Sequence, residues 1–209
     1  MTTQDVITVL SEERYSKRLL KDWTEYTKLV SKAYIAAPSF DGSVRGAWDA
    51  MVPWIENMYK KIFSEEPDPN KKKVHVQFTE EDPYENAEQV HQDIAENNRL
   101  KVYTGGEPHP IWSQEINAKF RAIHDKMAHY DRPSDFTMSG EIKAYNAHTK
   151  TCPKISIPAL FTEVVGQAAV FYTTGSFGEQ KIAILPGFDY TNLGVVEGHE
   201  IQDKQLVRK

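Results

Sequence analysis

The sequence predicts an α+β fold, a mainly helical single domain with a small sheet of about three short strands. Hydrophobic residues recur at helical spacing along most of the chain, whereas the run 74–78 alternates between apolar and polar residues. The chain has 209 residues, of which 40% are hydrophobic and 26% charged. This composition is typical of a globular protein that buries one core.

In the N-terminal part, the spacing of apolar residues predicts two amphipathic helices that pack together as one helical layer. Ser11 is followed by two glutamates, as at a helix start, and apolar residues then recur at helical spacing until Pro38. A second apolar series runs from Val44 to Ile62. Because Pro53 falls inside it, we expect this second helix to be kinked or split.

A strand–helix–strand unit follows a polar linker. The runs 74–78 and 99–103 predict two strands, the second closed by a pair of glycines. Asp82 followed by Pro83 predicts the start of a helix that reaches about Asn97. A unit of this length allows the two strands to be parallel. No glycine-rich phosphate loop follows the first strand, so a nucleotide-binding fold is not supported.

Three further helices and a third strand complete the predicted order. Ser113 is expected to cap a helix over 114–130, Ser139 a shorter helix to about Lys150, and Pro158 opens a helix to about Tyr172. The run 181–185 predicts the third strand. The predicted subdivision is an N-terminal helical layer (1–66), a motif-bearing core (74–186) and a C-terminal tail (187–209).

Charge and cysteine content narrow the classes of function. The formal net charge is −5, and the one dense basic run, Lys71–Lys73, belongs to a linker, so we expect no broad nucleic-acid binding. Cys152 is the only cysteine, which excludes an internal disulfide and suits a reducing compartment. The first residues lack a signal-peptide pattern, and no apolar run approaches the ~20 residues of a membrane span. We therefore expect a cytoplasmic protein without membrane contact.

Three consecutive predicted helices carry side chains that bind metal ions or transfer protons. Asp125 and His129 are four residues apart and share a helix face, with His124 about 100° away. A divalent ion such as Zn, Mn or Fe prefers imidazole and carboxylate ligands from several rigid elements. The predicted metal ligands are His124, Asp125, His129 and His148, the predicted proton-transferring residues are Glu141 and Glu163, and the predicted ligand-binding residues are Arg121, Tyr145 and Gln167.

The same spacing has other interpretations. An Asp–His pair four residues apart on a helix is also an ordinary surface pair. Gly166, in mid-helix before Gln167, indicates either the close approach of a ligand or tight helix packing. Cys152 is an alternative nucleophile, with His148 as its base.

A series of short motifs runs through the second half of the chain. They are Phe120–Asp125 with His129, Gly140–Glu141 with Ala144 and His148, Thr162–Glu163 with Gly166–Gln167, and Gln180–Ile182 with Leu185–Pro186. Together with Asp82–Tyr84 and Glu96–Tyr103, this series resembles a domain of tailed bacteriophages and of large phage- or plasmid-borne polyvalent proteins. The resemblance covers roughly residues 74–186, although Ala128 stands where that domain usually has glycine. It implies a bacteriophage origin, with a phage particle or a host protein as partner, and implies no particular reaction.

His124–Asp125 is also similar to the central pair of the HD-type phosphohydrolases. In that resemblance His91 supplies the first metal ligand, and Glu163 replaces a downstream aspartate that this chain lacks. It implies a phosphorylated ligand.

Three functions follow from these residues. The first is a metal-dependent hydrolytic enzyme of bacteriophage origin, in which Glu141 or Glu163 moves the proton of an activated water. The second is a non-enzymatic phage structural or host-directed protein, in which the polar residues form a buried hydrogen-bond network. The third is a metal-free binder of a small polar ligand, with Arg121 or Arg132 facing a cleft. All three allow a location in the host cytoplasm or in the virion.

Overall fold

The computed structural model describes residues 23–132, 134–195, 199–202 and 205–208. Its described elements are mainly helical and include a three-stranded sheet, which confirms the predicted α+β class. The chain packs as two units, one formed by residues 46–156 and the other by residues 1–45 with 157–209. The predicted helix start at Ser11 lies outside the described residues, and the predicted subdivision at 66–74 and 186–187 stays a prediction.

The described helices and strands follow one another in this order. They are α1 (Trp23–Ala36), α2 (Arg45–Asp49), α3 (Met51–Ile62), β1 (Phe63–Ser64), β2 (Val74–Thr79), α4 (Ala87–Asn97), β3 (Arg99–Tyr103), α5 (Gln114–His124), a first π-helical segment (Asp125–Tyr130), α6 (Met138–His148), α7 (Ile157–Leu160), a second π-helical segment (Phe161–Gly166), α8 (Gln167–Thr174), β4 (Phe188–Asp189), β5 (Gly194–Val195), β6 (His199–Gln202) and β7 (Gln205–Arg208).

The strand–helix–strand unit has the predicted parallel arrangement. β2 pairs in parallel with β3, with His75 opposite Arg99, and also with the short β1, so the sheet order is β1–β2–β3. The predicted helix start at Asp82–Pro83 is wrong, because α4 begins only at Ala87. Asn86 is the N-cap, and its side chain accepts a hydrogen bond from the backbone N–H of Gln89.

Proline and cap residues set the bounds of the other helices in residues 46–156. The predicted break near Pro53 is a split at Ala50, and Pro53 stands in the first turn of α3, where no intrahelical N–H donor is needed. Ser113 caps α5 as predicted. α6 is capped by Thr137 rather than by Ser139, because the Thr137 side chain accepts from the N–H of Gly140.

Close packing within the unit that contains α1 and α8 accounts for the glycine at position 166. A Cβ atom on Gly166 would lie 2.6 Å from the Tyr34 ring, so tight packing of α1 on this helix requires glycine here. The predicted strand at 181–185 is wrong, since Ile182 makes only an isolated bridge with Phe40. The side chain of Thr162 donates a hydrogen bond to the carbonyl of Ala183. In a sheet, this carbonyl would accept from the backbone of a neighbouring strand.

One helical stretch among the described residues is long and apolar enough to cross a membrane. It spans Lys154–Thr174, and 67% of its most apolar window is buried inside the structure. A mostly buried core helix can pass the same test of length and composition.

Candidate metal centre

Two imidazoles and one carboxylate converge where α5 ends and α6 begins. His124 Nε2 lies 3.2 Å from Glu141 Oε2, and His129 Nε2 lies 3.8 Å from Glu141 Oε1. The three residues offer donor atoms that all lie within 4.8 Å of one another, a group that can hold a metal ion. His129 is almost fully buried, whereas the side chains of His124 and Glu141 keep 17% and 14% of their exposure, so the group is reachable from solvent.

The first π-helical segment brings the two histidines together. On an α-helix, residues five apart point about 140° away from each other. In Asp125–Tyr130 the bonds instead join residues five apart, as between the N–H of Asp131 and the carbonyl of Lys126 at 2.9 Å. The ring centroids of His124 and His129 are therefore only 5.2 Å apart. The predicted angle of about 100° between His124 and the face of His129 assumed an α-helix, and the π-helical segment brings the two rings closer.

The backbone fixes the protonation pattern of His129. Its Nδ1 lies 3.1 Å from the carbonyl oxygen of Ser134, and a carbonyl only accepts, so Nδ1 carries the proton. The Ser134 hydroxyl donates to the carbonyl of Ala128 at 2.8 Å and holds this loop in place. His129 Nε2 then presents a lone pair toward Glu141. Metal-binding histidines commonly donate their other N–H to a carbonyl in this way.

Burial and charge set the protonation states of His124, His129 and Glu141. Burial lowers the pKa of His124, but its ion pair with Glu141 outweighs burial and raises that pKa above the usual value. Burial raises the pKa of Glu141, but the charge and hydrogen bond of His124 hold it below its usual range. Burial and then the charge of His124 lower the pKa of His129 to about 4. The group is therefore a charged pair beside a neutral imidazole.

His148 stands behind His124 and outside the converging group. Its Nε2 lies 3.3 Å from His124 Nδ1, and its fully buried ring packs against Trp54 and Phe120. Burial, and then the nearby positive charges, lower its pKa well below the usual value, so it is neutral. Its Nδ1 has no hydrogen-bond partner among the described residues. The structure thus places His148 next to a ligand, and its predicted role as a ligand itself stays a prediction.

Asp125 and Arg121 flank the group on the same helical stretch. Burial raises the pKa of Asp125 to about 7, with the charge of Glu141 acting in the same direction and His124 and Arg121 opposing it. Arg121 donates through Nη1 to the carbonyls of Tyr103 and Gly105. Asp125 is therefore near the group, but the donor atoms that converge belong to the other three residues.

The remaining predicted site residues have structural surroundings of their own. Tyr145 is fully buried on α6, four residues after Glu141. Glu163 and Gln167 belong to the unit formed with residues 157–209, where the Gln167 amide donates to Glu163 Oε2 at 2.7 Å. Their part in a metal site stays a prediction. Cys152 is buried, which raises its pKa to about 12 and disfavours a reactive thiolate.

Comparison with protein-family models, with curated proteins and with solved structures finds no match to this chain. The resemblances to the phage domain and to the HD-type phosphohydrolases stay predictions. His91, the first ligand in the second of these, is exposed on α4 and packs its ring against Tyr130 at 4.8 Å.

Proposed function

We propose that this protein is a metal-dependent hydrolase whose ion is held by His124, His129 and Glu141. The observation that carries the proposal is the approach of His129 Nε2 to Glu141 Oε1 at 3.8 Å. Both atoms present lone pairs, because the proton of His129 is on Nδ1 and the pKa of Glu141 is lowered. Two acceptors that face each other with no proton between them can both donate their lone pairs to a cation placed between them.

The donor set suits a catalytic rather than a structural ion. Structural zinc sites use four protein ligands, whereas catalytic zinc sites use three, such as two histidines and a glutamate, and leave a position for water. When bound, the ion would lower the pKa of that water and supply the nucleophile. Zinc is the first candidate, and Mn and Fe also accept imidazole and carboxylate ligands.

A sealed polar network is the alternative function, in a non-enzymatic phage structural or host-directed protein. The contacts from His148 to His124 and from His124 to Glu141 favour it, since they pair buried groups with one another. The separation of His129 from Glu141 argues against it, because 3.8 Å is too long for a hydrogen bond. On the phage resemblance, we also propose a bacteriophage origin and a place in the host cytoplasm or the virion.

Metal analysis of the purified protein tests the proposal. We expect one equivalent of Zn, Mn or Fe, retained on purification or acquired on titration of the chelator-treated protein. Glu141→Gln and His129→Ala should each weaken binding at least about tenfold, since each removes one of three ligands. His91→Ala is the matched control, because His91 is an exposed histidine outside the group. A folded protein that neither holds nor acquires metal would favour the sealed network.

A further inference from the structure

Arg121 is held by two hydrogen bonds of one nitrogen and by the Tyr103 ring, whose centroid lies 5.8 Å from the guanidinium carbon. Its Nη1 donates to the carbonyls of Tyr103 and Gly105 at 2.9 and 3.0 Å. A guanidinium has five N–H donors in a rigid fork, and Nη1 carries only two of them. Among the described residues no hydrogen-bond acceptor is paired with Nε or Nη2 of this partly buried side chain.

The guanidinium of Arg121, with Nε and Nη2, lies near the ends of the parallel strands. β2 ends at Thr79 and β3 at Tyr103, and the N–H of Thr104 donates to the carbonyl of Thr79 at 2.8 Å. A Cβ atom on Gly106 would lie 3.8 Å from Arg121 Nη2, so this nitrogen lies next to a glycine, where no side chain covers the backbone. The carboxyl ends of parallel strands are the usual place for ligands in open sheets of this kind.

Arg121 is also a neighbour of the metal centre. It precedes His124 by three residues on α5, so the two side chains lie on the same helix face. Its positive charge acts on Asp125, and Glu141 acts on the same carboxyl group. The guanidinium and the converging ligands therefore border one region of the protein.

We propose that Arg121 is the anion-binding arm of the metal centre and that the substrate carries a phosphoryl group. This inference rests on the proposed metal site. A phosphoryl group has enough oxygens to contact the ion and to accept two parallel hydrogen bonds from the guanidinium fork, whereas a carboxylate has only two oxygens for both tasks. A purely structural role, in which Arg121 joins the loop after β3 to α5, would use the bonds of Nη1 and the contact with the Tyr103 ring and would leave the N–H groups of Nε and Nη2 unused.

Calorimetric titration of the zinc-loaded protein with inorganic phosphate tests this inference. We expect one phosphate to bind, with acetate binding at least tenfold more weakly. Arg121→Gln should weaken phosphate binding by about tenfold to a hundredfold without changing zinc stoichiometry. Arg45→Gln is the matched control, because Arg45 is an exposed arginine of the other unit. Adenosine monophosphate and glycerol 3-phosphate, titrated in parallel, distinguish a nucleotide from a lipid- or sugar-like carrier of the group.

Arg121→Lys gives a second variant should the glutamine variant unfold, since lysine keeps the charge and can still reach a carbonyl but lacks the fork. It should bind phosphate at least several-fold more weakly than the unaltered protein. If the protein binds zinc but no phosphate, this inference is overturned and the metal site remains. The same holds if both Arg121 variants bind phosphate as tightly as the unaltered protein does. Absence of zinc binding overturns the proposed function itself, and with it the joint phosphoryl site.

Discussion

His148 Nε2 lies 3.3 Å from His124 Nδ1, on the edge of the His124 imidazole that faces away from Glu141. If His124 Nε2 held a metal ion, the one remaining proton of the imidazole would be on Nδ1, and the neutral His148 is the acceptor in reach. The ring orientation of His124 thus depends on a side chain that does not itself belong to the converging group. Partners of this kind typically change metal affinity by 10–100-fold.

We predict that His148→Ala weakens zinc binding by about 10–100-fold, because the His124 ring loses its acceptor. His148→Gln should recover most of the affinity, since its side-chain oxygen can accept the same proton. Competition with a fluorescent zinc chelator measures both variants, and thermal unfolding reports whether each is folded. Equal affinities for the alanine and glutamine variants would leave His148 a packing role only.

The contribution of His129 and His148 to the stability of the metal-free protein should fall as the pH falls from 7 to 5. His129 and His148 have lowered pKa values when folded, from burial first and nearby positive charges second, but titrate near 6.5 when unfolded. Below about pH 6.5 the unfolded state therefore binds protons that the folded state does not. The free energy of unfolding then falls by up to about 1.4 kcal/mol per pH unit for each imidazole.

His124 and Asp125 act in the opposite direction, because their pKa values are raised. The stabilising effect of His124 is present below pH 6.5 and is lost at higher pH, and that of Asp125 is lost as the pH rises from about 4 to about 7. Denaturant unfolding of the unaltered protein and of His148→Gln, with a chelator present, isolates the contribution of His148. The His148→Gln variant should show the shallower dependence on pH. Parallel curves for the unaltered protein and His148→Gln would contradict the lowered pKa of His148.

Gly140→Ala should destabilise the protein and disturb the metal centre. A Cβ atom on Gly140 would lie 1.8 Å from the carbonyl oxygen of Asp135, so the first turn of α6, which carries Glu141, must shift. We expect a loss of about 1–3 kcal/mol and a weaker affinity for zinc. Gly46→Ala is the matched control, because a Cβ there has no neighbour within 4 Å. The free energy of unfolding of that variant should rise by up to about 1 kcal/mol, because alanine has the higher helix propensity. A similar loss of stability in both variants would refute the steric argument.

Tyr84→Phe should destabilise the strand–helix–strand unit. The Tyr84 hydroxyl donates to Asp93 at 2.9 Å and accepts from the backbone N–H of Lys101 at 2.9 Å. Its removal leaves a part-buried N–H of β3 without a partner, which costs about 1–3 kcal/mol. Tyr130→Phe is the comparison, since the Tyr130 ring stacks on His91 and carries no hydrogen bond from its hydroxyl within the described part of the chain. Equal unfolding midpoints for the two variants would show that the Tyr84 hydroxyl contributes little.

Local signals predicted much of the fold. Alternating residues after Val74, the cap at Ser113 and the proline at position 53 each act over a few residues, and the structure has the corresponding strand, helix and break. Errors arose where two residues compete for one role. Asp82 and Asn86 are both residue types that cap helices well, and the structure uses Asn86.

The residues of the metal centre could be named from the sequence, but not their geometry. The imidazole and carboxylate groups on neighbouring predicted helices predicted His124, His129 and Glu141 as site residues. Periodicity assumes α-helical spacing, and nothing in the residues Asp125–Tyr130 marks a π-helix. The contribution of Ser134 was missed as well, since its part in orienting His129 comes from a backbone carbonyl, which every residue type has.

The wider helical turn at Asp125–Tyr130 also bears on how such centres are found. Familiar helical zinc motifs space their histidines with three intervening residues, whereas His124 and His129 have four between them and still face each other. Pattern searches written for straight helices will pass over pairs of this type. Allowing one additional residue between the ligands, wherever a carboxylate opens the next helix, would bring comparable centres to light in other chains.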